Sequence, residues 1–310
     1  MSADHIQATG NIGGHFTRAL LQTGKHTVTA LTREGSDKAV PEGAKVVKVN
    51  YDDDDSLVEA LRGQQFLIIA LGVSIPADLH SRIVAAAAKA GVQYVMPNSF
   101  GGPIIEDPTA GAWLQTHIAR KKEIDNTPLS RVTLVCSFFY EWSVALGDSW
   151  FGFEIKDRKV TFFDDGRRAI KTSTWDQCGR AVAALLSLPE SGATPSVSDF
   201  KRNDVSISSF CVSQRDILDS LHRVLGTTDS DWTISYESSA QRIADGAEEL
   251  KRGVQSGFAK MLYGEYFLPG SKKSEYVDTE TKLLGLPQES LDEATKRAVA
   301  MVEDGFSPFQ

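Results

Sequence analysis

Apolar and polar positions alternate along the first half of the chain in two rhythms. Short apolar runs stand at His26–Thr32, Lys45–Val49, Phe66–Leu71, Gln93–Met96 and Arg131–Cys136. Between them lie segments with helical spacing: His15–Leu21, Ser56–Leu61 (opened by a Ser-x-x-Glu capping box), Ala77–Ala90 stopped by Gly91, and Ala112–Asp125. Phe66-Leu67-Ile68-Ile69-Ala70-Leu71 is apolar without alternation, as a parallel strand covered on both faces should be. Strands alternating with helices at this spacing predict a doubly wound parallel sheet.

Past Cys136 the rhythm loosens. Val160–Phe163 and Ala169–Lys171 flank Asp164-Asp165-Gly166, which predicts a hairpin. Thr174-Trp175-Asp176-Gln177 reads as a capping box for a helix reaching Leu188. Helices are also expected over Ser213–Leu225, over most of Ser239–Phe267 and after Ser290. The fold class predicted is α/β: a Rossmann-type domain over residues 1–137, and over 138–310 a smaller α+β region woven onto it to bind substrate.

The front of the chain carries the first chemistry. Gln7-Ala8-Thr9-Gly10-Asn11-Ile12-Gly13-Gly14 is a Gly-rich turn that opens a helix. Glycines there let backbone N–H groups approach a pyrophosphate, and the helix N-terminus favours its negative charge. Only six residues precede the turn, and Gln7 fills the slot of its first glycine. A central strand should be apolar throughout, so Met1–Ile6 predicts a truncated first strand. Three or four residues around His5–Ala8 are expected to pair, enough to position Gly10 and Gly13 but not to complete the sheet. At the end of the second strand stand Thr32 and Arg33, where an acidic residue would hold a free 2′-hydroxyl. A guanidinium there suits a 2′-phosphate, which favours NADP(H) over NAD(H); the alternative is a solvated arginine.

Composition narrows the rest. The net charge of −8 and pI near 5.3 argue against a protein that holds nucleic acid by its own surface. Cys136, Cys178 and Cys211 are scattered, which suggests reduced thiols. With no apolar run near the roughly 20 residues of a spanning helix, a cytoplasmic protein is expected. Asp52-Asp53-Asp54-Asp55 precedes a helix and reads as N-terminal charge complementing its dipole. The histidines lack paired metal spacing, so no metal is expected, and there is no G-x-S-x-G.

Ala8-Thr9-Gly10-Asn11-Ile12-Gly13, Leu31-Thr32-Arg33, Tyr94–Gly101 (Tyr-Val-Met-Pro-Asn-Ser-Phe-Gly) and Thr172–Gly179 (Thr-Ser-Thr-Trp-Asp-Gln-Cys-Gly) together resemble the NmrA-like and isoflavone-reductase-like atypical short-chain dehydrogenases/reductases. Fungal members found near secondary-metabolite pathways are the most similar. The resemblance spans nearly the whole chain. It implies a Rossmann domain, NADP(H), a small-molecule substrate and a pocket built by the C-terminal region. The cofactor-binding positions implied are Thr9, Gly10, Asn11, Ile12, Gly13, Thr32, Arg33, Leu71, Gly72, Pro97 and Asn98.

No Tyr-x-x-x-Lys occurs. The isoflavone-reductase-like group instead uses a lysine three positions before an Ile, on the helix ahead of the sixth strand; Lys121 stands so before Ile124. Helical spacing puts Leu114, His117, Ile118 and Lys121 on one side, and a desolvated lysine can exchange protons near neutral pH. The alternative is a solvated basic patch, Arg120-Lys121-Lys122. Phe100, Phe138, Tyr140 and Trp142 follow strand ends where ligands of open α/β sheets collect. They suit a flat apolar substrate, or equally a packed junction. The reading is a reductase passing hydride from NADPH to a small apolar metabolite. The alternatives are an NADP(H)-sensing regulator without turnover and a degenerate product with impaired cofactor binding.

Overall fold

The computed structural model describes the chain apart from residues 1, 7–9, 37–38, 73–74, 77, 105–111, 274 and 308–310; of residues 2–6, 112 and 113 it describes the backbone. Thr9 therefore lies outside the described residues. Two compact units are present. The first comprises 1–135, 175–207 and 278–286, and the second 136–174, 208–277 and 287–310. Against the expected ranges 1–137 and 138–310, two later segments return to the first unit.

The first unit is built on seven parallel strands. These are β1 (Ser2–Ile6), β2 (Thr27–Arg33), β3 (Lys45–Val49), β4 (Phe66–Ile69), β5 (Tyr94–Met96), β6 (Ser130–Val135) and, at the edge, Asn203–Ser206. Their order is Asn203–Ser206, β6, β5, β4, β1, β2, β3. Helices α1 (Asn11–Gln22), α2 (Asp54–Leu61), α3 (Leu79–Ala90) and α4 (Ala112–Asp125) lie between successive strands. All four side chains of β4 and all three of β5 are buried, as their unbroken apolar runs require. Gly91 ends α3 at φ 79°, a left-handed cap that costs glycine no Cβ clash.

The first strand corrects the sequence expectation. It runs from Ser2 to Ile6, pairing Ser2 with Thr27 through Ile6 with Leu31 on one side and Ala3 with Phe66 through Ile6 with Ile69 on the other. Five residues complete the sheet, because pairing on both sides is a property of the backbone and not of side-chain hydrophobicity.

Outside the sheet, the helix Trp175–Leu186 packs along α1. A Cβ on its Gly179 would lie 2.7 Å from the His15 carbonyl oxygen, so only glycine permits this approach. His15 Nδ1 meets Asp176 Oδ1 at 2.7 Å, fixing α1 to the first turn of this helix.

The second unit holds two three-stranded sheets around an apolar cluster that includes Tyr140, Phe151, Phe153, Phe163, Leu218 and Phe267. The predicted hairpin does not form. Lys159–Phe163 pairs with Phe153–Glu154 and Thr233–Glu237, whereas Ile170–Ser173 pairs with Phe210–Val212 and Phe138–Phe139 in the other sheet. The turn signal is genuine, with Asp164 and Gly166 at positive φ. The Asp164 carboxylate, however, accepts from the Ser239 backbone N–H and hydroxyl, sending the strands apart. Two caps also differ. Asp53 caps α2 through the Asp55 N–H while Ser56 Oγ accepts from the Asn50 N–H, and the Thr174 hydroxyl donates to Glu289.

Candidate active site

Because the strands of the main sheet are parallel, the loops after β1, β2, β4 and β5 all leave its carboxyl edge. The order reverses between β4 and β1, which makes the Gly-rich turn after β1 the switch point where ligands of open sheets bind. Gly10 caps α1 in extended conformation with no side-chain hydrogen bond, and its carbonyl accepts from the Gly14 N–H at 2.9 Å. Gly13 and Gly14 are buried, Ile12 is half-buried and Asn11 is exposed. The first-turn N–H groups of α1 are the kind of donors an anion takes up. A cavity of about 660 Å³ adjoins this turn, lined among others by Gly10, Asn11, His15, Arg18, Pro41 and Trp175.

At the end of β2, Thr32 is buried and its hydroxyl has no hydrogen-bond partner among the described residues. The same holds for the Tyr51 hydroxyl. Burial pushes the Tyr51 phenol up to about 12, against the opposing charge of Arg33. Arg33 itself is exposed. Free N–H donors, two unsatisfied hydroxyls and an available guanidinium fit a phosphorylated dinucleotide.

On the other side of the switch point, Leu71 is buried and Gly72 exposed, and Pro97 is buried. Asn98 joins the two loops: its side chain accepts from the Leu71 N–H at 3.2 Å and donates to the Leu71 carbonyl at 3.1 Å. Its own carbonyl accepts from Arg120 of α4 at 3.3 Å. Asn98→Ala would strand both Leu71 groups, each costing about 1–3 kcal/mol if left unsatisfied. Amide exchange at Leu71 is expected to accelerate at least tenfold; unchanged exchange would deny the clamp.

Lys121 is half-buried, on the same side of α4 as buried His117, Ile118 and Ile124. Sequence reasoning named His117 only as a neighbour of Lys121. In the structure its Nδ1 lies 2.9 Å from Ser99 Oγ in the loop after β5. His80, at the start of α3, is buried beside it, with Nδ1 3.5 Å from Glu123 Oε2. Burial first, then the charge of Arg120, lowers His117 to about 4. Burial, Arg120 and His117 lower His80 to about 3. Both rings are neutral at neutral pH.

The four aromatic positions separate. Phe100 is half-buried against Phe16 of α1, ring centres 5.2 Å apart. Phe138 stacks on Tyr263 at 3.9 Å, and Trp142 is half-buried with its ring edge-on to Trp150. Tyr140 differs from the expected substrate contact. It is fully buried, and its hydroxyl is bound 2.6 Å from Thr295 Oγ1, because it faces the apolar cluster of the second unit. Among the described residues no group of three His, Cys, Asp or Glu could hold a metal ion, and no helix is long and apolar enough to cross a membrane.

Residues 5–144 match the model of the NmrA-like family. The chain is 25% identical over 299 residues to oxidoreductase aprR of Aspergillus flavus, covering 93% of this chain and 95% of that protein. Among solved structures it resembles isoflavone reductase, with a TM-score of 0.77 and 17% identity over 96% of this chain and 98% of the other. It also resembles AtPrR2, solved with NADP+ and (+)pinoresinol, with a TM-score of 0.75 and 19% identity over 95% and 97%.

Proposed function

Starting from a chain whose residues 5–144 belong to the NmrA-like family, we propose an NADPH-dependent reductase that passes hydride to a small, largely apolar metabolite with a conjugated carbonyl or imine. The chain is an NADP(H)-dependent oxidoreductase. Several relatives, aprR among them, are fungal oxidoreductases, which supports a place in fungal secondary metabolism. The observation that carries the reading is the Gly-rich turn at the switch point with Arg33 at the end of the neighbouring strand.

Gly10, Asn11, Ile12 and Gly13 would hold the pyrophosphate, and Thr32 with Arg33 the phosphorylated ribose. Leu71, Gly72, Pro97 and Asn98 line the edge beyond it, held in register by the Asn98 clamp. When bound, the dinucleotide supplies the hydride, and the protein orients the acceptor and provides a proton. Phe100, Phe138 and Trp142 are candidates to flank a flat substrate. Lys121 stays a candidate acid on family resemblance.

The test is a titration of NADPH and NADH followed by fluorescence, then NADPH oxidation across conjugated carbonyls. Arg33→Ala is expected to weaken NADPH at least tenfold and leave NADH nearly unchanged, since a charge-assisted phosphate contact contributes about 1.5–3 kcal/mol. Equal loss for both cofactors would remove Arg33 from phosphate recognition. Tight binding without oxidation of any probe would favour a sensing role instead.

A further inference from the structure

The loop after β5 and the helix α4 bring a hydroxyl and an imidazole together at the carboxyl edge of the sheet. We propose that Ser99 delivers the proton of the reduction and that His117 resupplies it. The proposal rests on the reductase reading given above.

Position is the first argument. Ser99 directly follows Asn98, whose side chain clamps the loop after β4, so its hydroxyl is held among the loops that gather at the switch point. α4 leads from the carboxyl edge back to the start of parallel β6 and therefore runs opposite to the strands. Each residue along it retreats about 1.5 Å, which sets Lys121 roughly 6 Å farther from the edge than His117. The helix thus presents His117 at the edge and Lys121 one turn behind.

Environment is the second. Ser99 is 5% exposed and His117 9%, so their 2.9 Å hydrogen bond is shielded from competing water. Among the charged and titratable groups near His117 are Arg120 from α4 itself and His80 from α3, the latter facing Glu123. Burial and Arg120 keep the ring uncharged at neutral pH, so a relay through it takes up a proton on one ring nitrogen as it gives one up from the other.

The step balances as follows. The acceptor oxygen gains an electron pair when its carbon is reduced. The Ser99 O–H bond breaks and an O–H bond forms on that oxygen. The His117 Nδ1–H bond breaks as the Ser99 hydroxyl re-forms while Nε2 takes a proton from solvent, so the ring stays neutral as the other tautomer and returns to the Nδ1–H form by later exchange with solvent. The net reaction consumes one solvent proton per hydride. Ser99 is the catalytic residue here; His117 acts through it.

A buried Ser–His bond that merely fastens α4 to the loop would give the same geometry, so the test separates the two roles. His117→Asn keeps a hydrogen-bonding group at the place of Nδ1 but cannot relay a proton. With menadione, cinnamaldehyde and 3,4-dihydroisoquinoline as probes, it is expected to lower kcat about 10²-fold. KM and the NADPH dissociation constant should stay within twofold, and the solvent deuterium isotope effect should rise. Ser99→Ala, the smaller perturbation, should lose turnover to a similar degree. In the wild type, nitrogen-15 resonances of His117 should report an Nδ1–H hydrogen bond that Ser99→Ala abolishes. Unchanged kcat in His117→Asn, or loss of turnover in Lys121→Met alone, overturns the proposal and leaves the reductase reading standing. Failure of the wild type to oxidise NADPH with any probe overturns both, and the binding titration then shows whether the cofactor assignment survives.

Discussion

Lowering the pH from 7 to about 4.5 is expected to cost the folded protein on the order of 5 kcal/mol through two histidines. His80 and His117 are 1% and 9% exposed, and their native pKa values fall to about 3 and about 4, in both cases mainly through burial. Above pH 6.5 neither ring is charged in either state, so they contribute nothing to pH dependence. Below it the unfolded chain takes up protons that the native state refuses, and stability falls until the native values are reached. At pH 4.5 each ring lies roughly two units below its unfolded value, and each unit is worth about 1.4 kcal/mol. His80→Leu removes one of the two titrations and is close in volume. About half of the acid loss should disappear, with the urea midpoint at pH 4.5 rising towards its value at pH 7. Parallel acid dependence in wild type and variant would place the sensitivity elsewhere.

A side chain at Gly179 is expected to damage stability and cofactor affinity together. A Cβ there meets the His15 carbonyl oxygen at 2.7 Å and the Ala19 methyl at 3.2 Å, and both neighbours belong to the helix that begins at the Gly-rich turn. Backbone cannot rotate away as a flexible side chain can, so the helices must separate. Gly179→Leu should lose about 3 kcal/mol to overpacking, exceeding the roughly 1 kcal/mol of helix propensity gained on leaving glycine. The melting temperature should drop by about 3–4 °C. Because the displaced helix opens at the Gly-rich turn, NADPH affinity should fall as well, even in Gly179→Ala, where propensity offsets part of the strain. An unshifted melting temperature in the Leu variant would mean that the two helices are free to slide.

The parallel sheet was legible because its signals are local and repeated: the unbroken apolar run of β4, the helical spacing of α3 and its stop at Gly91. The hairpin was misread for a physical reason. Asp164-Asp165-Gly166 specifies a tight turn but carries no information on which partners the flanking strands take, and those partners lie far away in sequence. For Tyr140 the sequence left a substrate contact and a packed position equally open, since the hydroxyl partner that fixes it, Thr295, is 155 residues distant. Of the candidate site, the Gly-rich turn and Arg33 could be read directly. His117 could not, because helical spacing says which side of α4 is inward without saying which turn reaches the sheet edge. A histidine and a strand-end serine 18 residues apart become neighbours only through the topology.

The central place of β1 makes the opening residues a keystone of assembly. Their first partner, β2, begins at Thr27 and their second, β4, only at Phe66, so the two sides of the strand are closed by segments at different distances along the chain. With β4 unpaired, β1 and β2 would leave an open hydrogen-bonding edge, the geometry that recruits strands from other chains. Without those five residues, β2 with β3 would part from β4 with β5, and the sheet would present two raw edges in place of one continuous hydrogen-bonded array. A change that weakens β1 therefore bears on this protein through self-association before it bears on chemistry.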